Sequence, residues 1–210
     1  QVKNRGVYSF CMCPGGFIVP AATSPGEVVV NGMSPSKRNN LFANSGIVVE
    51  INADEDLKKY ESHGVLKGLA FQKDLERLAF TAGGRTQTAP AQRLTDFVEG
   101  KLSHDLNPCS YQPGLKSVPL HSLLPKFIGS RLRGGFAAFG EKMKGYYTSE
   151  ANVIGVESRT SSPVNIPRKE NLEHPEISGL FPCGEGGGYA GGIVSAAMDG
   201  ERCAEAACGS

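Results

Sequence analysis

GLFPCGEGGGYAGG, Gly179 to Gly192, is the stretch on which the reading of this chain turns. A short apolar run ends in Gly-Glu and then dissolves into glycine, just before a segment of small residues with helical spacing. Glycine loses more backbone entropy on folding than any other residue and offers no side chain to pack. Its concentration here needs a reason. Reading Leu180–Cys183 as the end of a strand, Gly184 permits a tight turn and Glu185 stands at the sheet edge. Gly186, Gly187, Gly188, Gly191 and Gly192 then present N–H groups with no Cβ in the way. A helix begins at Gly192 or Ile193 and runs to Ala207, with Ile193, Ala196, Ala197, Cys203 and Ala204 facing a core. The first amides of a helix lack intrahelical acceptors and favour an anion or a polarised oxygen. Glu185, when ionised, accepts from a ligand hydroxyl and cannot itself hold a phosphate. The pattern points to a large ligand lying against main chain, with a glycine-rich surface loop as the competing reading. It matches neither G-x-G-x-x-G in its usual strand–helix setting nor G-x-x-x-x-G-K-[ST].

Upstream of this turn the order is strands, helices, strands. Short strands are expected in Gly6–Cys11, GGFIVPAA (15–22), GEVVVNG (26–32) and Ile47–Ile51, where β-branched residues cluster. Residues 33–45 read as a polar, ordered loop. Asn52–Tyr60 places acids early and lysines late, as a helix dipole favours. Leu66–Ala82 has apolar residues at 3.6 spacing. Pro90 is placed to open a helix over Ala91–Lys101, and Ser122–Tyr146 reads as helical with interruptions at Pro125 and Gly134-Gly135. Strand character returns at Asn152–Arg159 and Val164–Ile166. The expected fold class is α+β, with strands from the two ends of the chain meeting in one mixed sheet around a central helical section. The expected divisions are 1–52, rich in strands; 53–150, mainly helical; and 151–210, carrying return strands and the last strand–loop–helix.

Composition narrows the functional classes. Of the 210 residues, 40% are apolar and 20% charged, and the net charge is +1, so bulk charge points to neither nucleic acid nor an anionic membrane. No apolar run has the length of a membrane-spanning helix, and QVKNRGVYSF has no signal-peptide core. The absence of an initiator Met and the immediate strand fit a natural terminus left by processing and, at least as well, a piece of a longer chain, which is the expectation. The six cysteines are read as reduced and the protein as cytoplasmic. Cysteine and histidine spacing makes no metal site, and no serine has the context of a hydrolase nucleophile.

Three further groups are candidates. Cys11 and Cys13 lie two apart in a strand, so alternation puts both sulfurs on one side; a thiolate there would act as base or polarise a substrate. Two buried small hydrophobes are the competing reading. Lys37 and Arg38 suit an acidic substrate or a cofactor phosphate, against a solvated loop. Arg159 is a carboxylate or anion contact just before Pro163.

GLFPCGEGGGYAGGIVSAAMDG (Gly179–Gly200) resembles the carboxyl-terminal flavin-binding signature of bacterial FAD-dependent dehydrogenases, relatives of the BaiN-like and fumarate-reductase-like two-part flavoproteins. SFCMCPGGFIVPAA (Ser9–Ala22), VNGMSPSKRNNLFANSGIVV (Val30–Val49) and GVESRTSSPVNIPR (Gly155–Arg168) resemble the same family. The resemblance implies a split fold. An amino-terminal Rossmann portion, with the loop for the FAD pyrophosphate, would be supplied by the rest of a parent chain. This chain would provide the substrate side and the last strand and helix of the Rossmann-like FAD domain. It further implies that Gly184-Glu185 sit near the ribityl–pyrophosphate region, and that Gly191, Gly192 and Ile193 begin the helix whose amides face the flavin. The implied function is oxidoreduction of a small-molecule substrate through flavin N5, with NAD(P)H as a candidate reductant and the fragment alone inactive. Two other readings remain open on the residues: a non-enzymatic ligand-binding or interaction module, and a self-contained thiol-dependent enzyme.

Overall fold

A computed structural model describes residues 5–209. The chain is α+β and divides into two units, residues 1–56 with 73–158 and residues 57–72 with 159–210.

Among the described residues, the first unit holds every strand. β1 (Val7–Cys13) pairs antiparallel with β4 (Asn44–Val49), bringing Val7 opposite Val49 and Ser9 opposite Ile47. β2 (Phe17–Pro20) pairs antiparallel with β3 (Val30–Met33). The mixed sheet is a separate one. Its central strand β5 (Ala89–Arg93) runs parallel to β6 (Leu115–Ser117) and antiparallel to β7 (Asn152–Ile154). The strands near the start of the chain thus form two ribbons of their own, and the mixed sheet comes from residues 89–154. This corrects the expectation of one sheet shared by the two ends.

Where Pro90 was expected to open a helix, it sits inside β5. Ala89 and Ala91 on one face of β5 and Pro90 on the other are fully buried, so compact side chains let neighbouring elements close over both faces, and that tertiary gain overrides local preference. Proline contributes no N–H, but its carbonyl accepts from Gly155 N at 3.0 Å. The helix starts later, as α3 (Leu94–Glu99), and ends on Gly100 with φ 77°, a left-handed cap. Short α1 (Ala53–Asp56), α2 (Lys67–Ala82), α4 (Leu120–Leu123) and α5 (Lys126–Lys142) complete the internal helices. The stretch 53–150 therefore carries two strands among its helices.

Helix α5 packs on α3, α4, β1 and β4. Its apolar line Ile128, Leu132 and Phe136 is buried with Leu94, Phe97 and Leu120, and Phe97 meets Phe136 edge-on with centroids 5.7 Å apart. The helix runs unbroken through Gly134-Gly135. A Cβ at Gly135 would lie 2.6 Å from Val7 Cγ1, so this glycine serves close approach of β1 rather than a break.

The second unit has little regular structure. A 3-10 stretch at Lys58–Leu66 leads into α2, which crosses the division between Gln72 and Lys73. Tyr60 packs edge-on against Phe71. The remainder is coil until α6 (Ile193–Gly209). Val164–Ile166 and Leu180–Cys183 are not strands. The expected strand–loop–helix is a coil–loop–helix, because the backbone groups of residues 162–188 bond one another across turns instead of joining a ladder.

Candidate functional site

The glycine-rich loop is built on one face of α6. Asp199 and Cys203 are four residues apart, so they share that face, and both are buried. The Asp199 carboxylate accepts from Arg168 Nη2 at 2.8 Å, from Arg168 Nη1 at 3.0 Å and from the Gly184 amide at 2.9 Å. The paired guanidinium is the strong fork geometry for a carboxylate. Arg168 also donates through Nη1 to Pro182 O at 2.9 Å and to Cys203 Sγ at 3.3 Å. Its guanidinium carbon lies 3.6 Å from the centroid of the Tyr189 ring, a cation–π stack. The Arg168 hydrogen bonds, then the Gly184 amide, outweigh burial and hold the Asp199 carboxyl at about 2. Burial pushes the Cys203 thiol up, opposed by the Arg168 charge.

The loop itself folds back on residues 162–168. Ile166 N donates to Gly187 O at 3.1 Å, and Asn165 Nδ2 reaches the carbonyls of Gly187 and Gly188. Tyr189 OH donates to Ile166 O at 2.8 Å. Inside the loop, Gly188 N donates to Glu185 O and Tyr189 N to Gly184 O, both at 3.0 Å.

The glycines divide into two sets. Gly188 has φ 83°, and a Cβ there would lie 2.8 Å from Val164 O; a Cβ on Gly187 would lie 3.0 Å from Cys183 N. The chain's own packing demands these two. Nothing lies within 4 Å of a Cβ at Gly186 or Gly191, and at Gly192 the nearest atom is Ser195 Oγ at 3.5 Å. None of the three has the left-handed φ that would call for glycine. Their bareness serves neither packing nor backbone conformation. Beside them α6 begins, its first described main-chain bond being Ala196 N to Gly192 O at 2.8 Å. The amides of Ile193, Val194 and Ser195 have no described main-chain acceptor. Ile193 and Val194 expose their side chains, and Glu185 is exposed as well.

Arg159 lies in this same unit and is exposed. Lys37 and Arg38 belong to the first unit and are also exposed. Arg38 closes a turn on Pro35 with φ 45°, and the following Asn40 donates from Nδ2 to Gly16 O at 2.8 Å. The basic loop and the Cys-Met-Cys-Pro-Gly-Gly turn are thus held together. The two thiols of that turn do not share a face. The ladder slips between Phe10 and Cys13, and Cys11 takes φ 48°. The bulge leaves Cys11 exposed and Cys13 buried. The Cys13 thiol donates to the Cys11 carbonyl at 3.3 Å. Alternation fails here because one extra residue resets the period.

Arg168, Asp199, Tyr189 and Asn165 were not singled out from the sequence. One signal was present: Asp199 is an acid one turn before Cys203, which the helical spacing does place inward.

Residues 1–160 match the family described as FAD-dependent protein, C-terminal domain-like. The chain belongs to this family. An "Uncharacterized protein" from Clostridium beijerinckii (strain ATCC 51743 / NCIMB 8052) is 42% identical over 204 residues, which are 96% of this chain and 38% of that protein. The chain therefore spans well under half the length of the curated relative it matches. The matched family residues take in the first unit's strands and the Cys11 and Lys37–Arg38 turns, and they stop before the glycine-rich loop.

Proposed function

We propose that this chain is the carboxyl-terminal part of a FAD-dependent oxidoreductase, and that the mouth of α6 faces the flavin. The observation that carries the reading is the second set of glycines. Gly186 and Gly191 leave open space that the chain does not fill, and a Cβ on Gly192 would make only ordinary contact with Ser195 Oγ at 3.5 Å, directly before helical amides with no described main-chain acceptor. The donor set suits the cofactor: bare N–H groups and a positive dipole end accept the polar edge of a ring that gains negative charge on reduction. When bound, the flavin supplies a two-electron acceptor and donor at N5. The amides of Gly192 and Ile193 hold and orient it. Glu185, at the loop tip, accepts from a ribityl or ribose hydroxyl. Arg168 and Asp199 touch no ligand in this scheme; they fix the loop on α6.

The finer relationship, to BaiN-like and fumarate-reductase-like flavoproteins with a Rossmann-like FAD domain, is part of the same proposal. It assigns the pyrophosphate loop to an amino-terminal portion of the parent protein. Cys11 or Cys13, Lys37, Arg38 and Arg159 remain candidates for the substrate side, with the exposed Cys11 as the thiol open to reaction.

Replacing Gly192 with Val in the natural full-length form is expected to lower FAD affinity about tenfold or more, read by flavin absorbance of the purified protein. Full flavin occupancy in a folded G192V protein would defeat the helix-mouth reading. Glu185→Gln tests the hydroxyl contact separately. The 210-residue chain supplied with FAD and NAD(P)H is expected to show no turnover.

A further inference from the structure

Cys183 and Cys203 form a second cysteine pair that the fold, not the sequence, brings together. Residues on both sides of Cys183 are tied to one face of α6. Pro182 O faces the Cys203 Sγ at 3.8 Å, and Gly184 N is bonded to Asp199, one turn before Cys203. Cys183 lies between these two attachments, and its thiol is near enough to that of Cys203 to push it up. Cys183 is exposed, whereas Cys203 is buried. Arg168 Nη1 donates to the Cys203 sulfur at 3.3 Å.

We propose that Cys183 and Cys203 are a reversible dithiol–disulfide pair, a modification site that cross-links the glycine-rich loop to α6. The oxidant is a low-molecular-weight disulfide. The Cys183 thiolate, reached from solvent, attacks one sulfur of that disulfide; a mixed disulfide forms on Cys183 and one small thiolate leaves. The Cys203 sulfur, having given up its proton, then attacks Cys183 Sγ. The intramolecular bond forms and the second small thiolate departs. The pair loses two electrons and two protons, and the small disulfide becomes two thiols. Arg168 has a defined part: its positive charge favours the Cys203 thiolate needed for the second step. The geometric requirement is strict, since a disulfide tolerates only a narrow range of Cα separations. The two main-chain attachments hold the residues on either side of Cys183 against the face of α6 that carries Cys203.

The test uses glutathione disulfide on the reduced natural full-length protein, followed by alkylation and peptide mapping by mass. The expected product is a peptide linked Cys183–Cys203, with no glutathione left on Cys183. In C203S the same treatment should leave glutathione on Cys183, because nothing resolves it. Phenylarsine oxide provides a second readout that does not depend on C203S folding. One equivalent should protect both thiols of the wild type from alkylation carried out in denaturant, where burial no longer shields Cys203, and this protection should vanish in C183S, a change at an exposed position. Stable glutathione on wild-type Cys183, or arsenical protection unchanged in C183S, would overturn the proposal. Loss of flavin binding in G192V bears on the helix mouth and leaves this result untouched.

Discussion

Two turns in this protein follow a cysteine with a run of glycine, and they use it differently. In the turn after Cys13, a Cβ on Gly15 would overlap the Arg38 carbonyl, and one on Gly16 would lie 2.6 Å from Met33 O. Both positions are occupied by the chain's own polar loop. In the loop after Cys183, Gly187 and Gly188 are used in the same way, but Gly186 and Gly191 face open space and Gly192 meets only Ser195 Oγ, at 3.5 Å. Glycine content alone is therefore no sign of a ligand. The sign is glycine that neither φ nor packing explains, placed where amides lack acceptors.

The comparison can be broken most forcefully at its anchor. Asp199→Asn removes the buried carboxylate that neutralises a half-buried guanidinium and holds the Gly184 amide. Breaking a buried charge pair from one side costs about 3–5 kcal/mol. Hydrogen exchange is expected to rise at Gly184 and along residues 182–189, while β5 and α5 are unaffected. Unchanged protection at Gly184 would show that the loop does not depend on α6.

Glycine substitutions sharpen the contrast directly. Gly188→Ala should destabilise by about 1–3 kcal/mol, from a strained φ and a close carbonyl. Gly186→Ala should fall within about 0.5 kcal/mol of the parent. Chemical denaturation of the two variants decides it, and equal losses would erase the distinction between the two sets.

The smallest effect is in acid. The Asp199 carboxyl falls from an ordinary 3.8 to about 2 in the fold. Its ionised form is favoured by folding, so its contribution is complete above about pH 4 and is lost as pH falls through 2. The stability gap between the parent and D199N should narrow over that window. A gap independent of pH there would assign the effect to shape rather than charge.

Much of the local structure was legible. The apolar spacing of 66–82 gave α2 almost to the residue, and the small residues after Gly192 gave α6, because 3.6 periodicity is a property of neighbours in sequence. The glycine loop was legible only in part as a place of bare amides: those of Gly187 and Gly188, expected to be free, donate to Cys183 O and Glu185 O. Pro90 in β5, the bulge at Cys11 and the missing strand at Leu180 were not. Each depends on what lies across from the segment: buried alanines flanked by two partner strands, a slipped ladder, and turns that consumed the backbone bonds a strand would need. Arg168 and Asp199 stand 31 residues apart in sequence, too far for any local pattern to join them.

The sequence by itself determined where main chain would lack side chains and which helix would follow, since both are set by the absence or spacing of side chains within a few residues. Only the tertiary structure decided which glycines are needed by the chain and which are left open, and which cysteine stands beside which. Those are distances between segments remote in sequence, and they exist only once an arginine, an aspartate and a helix face have closed on one another.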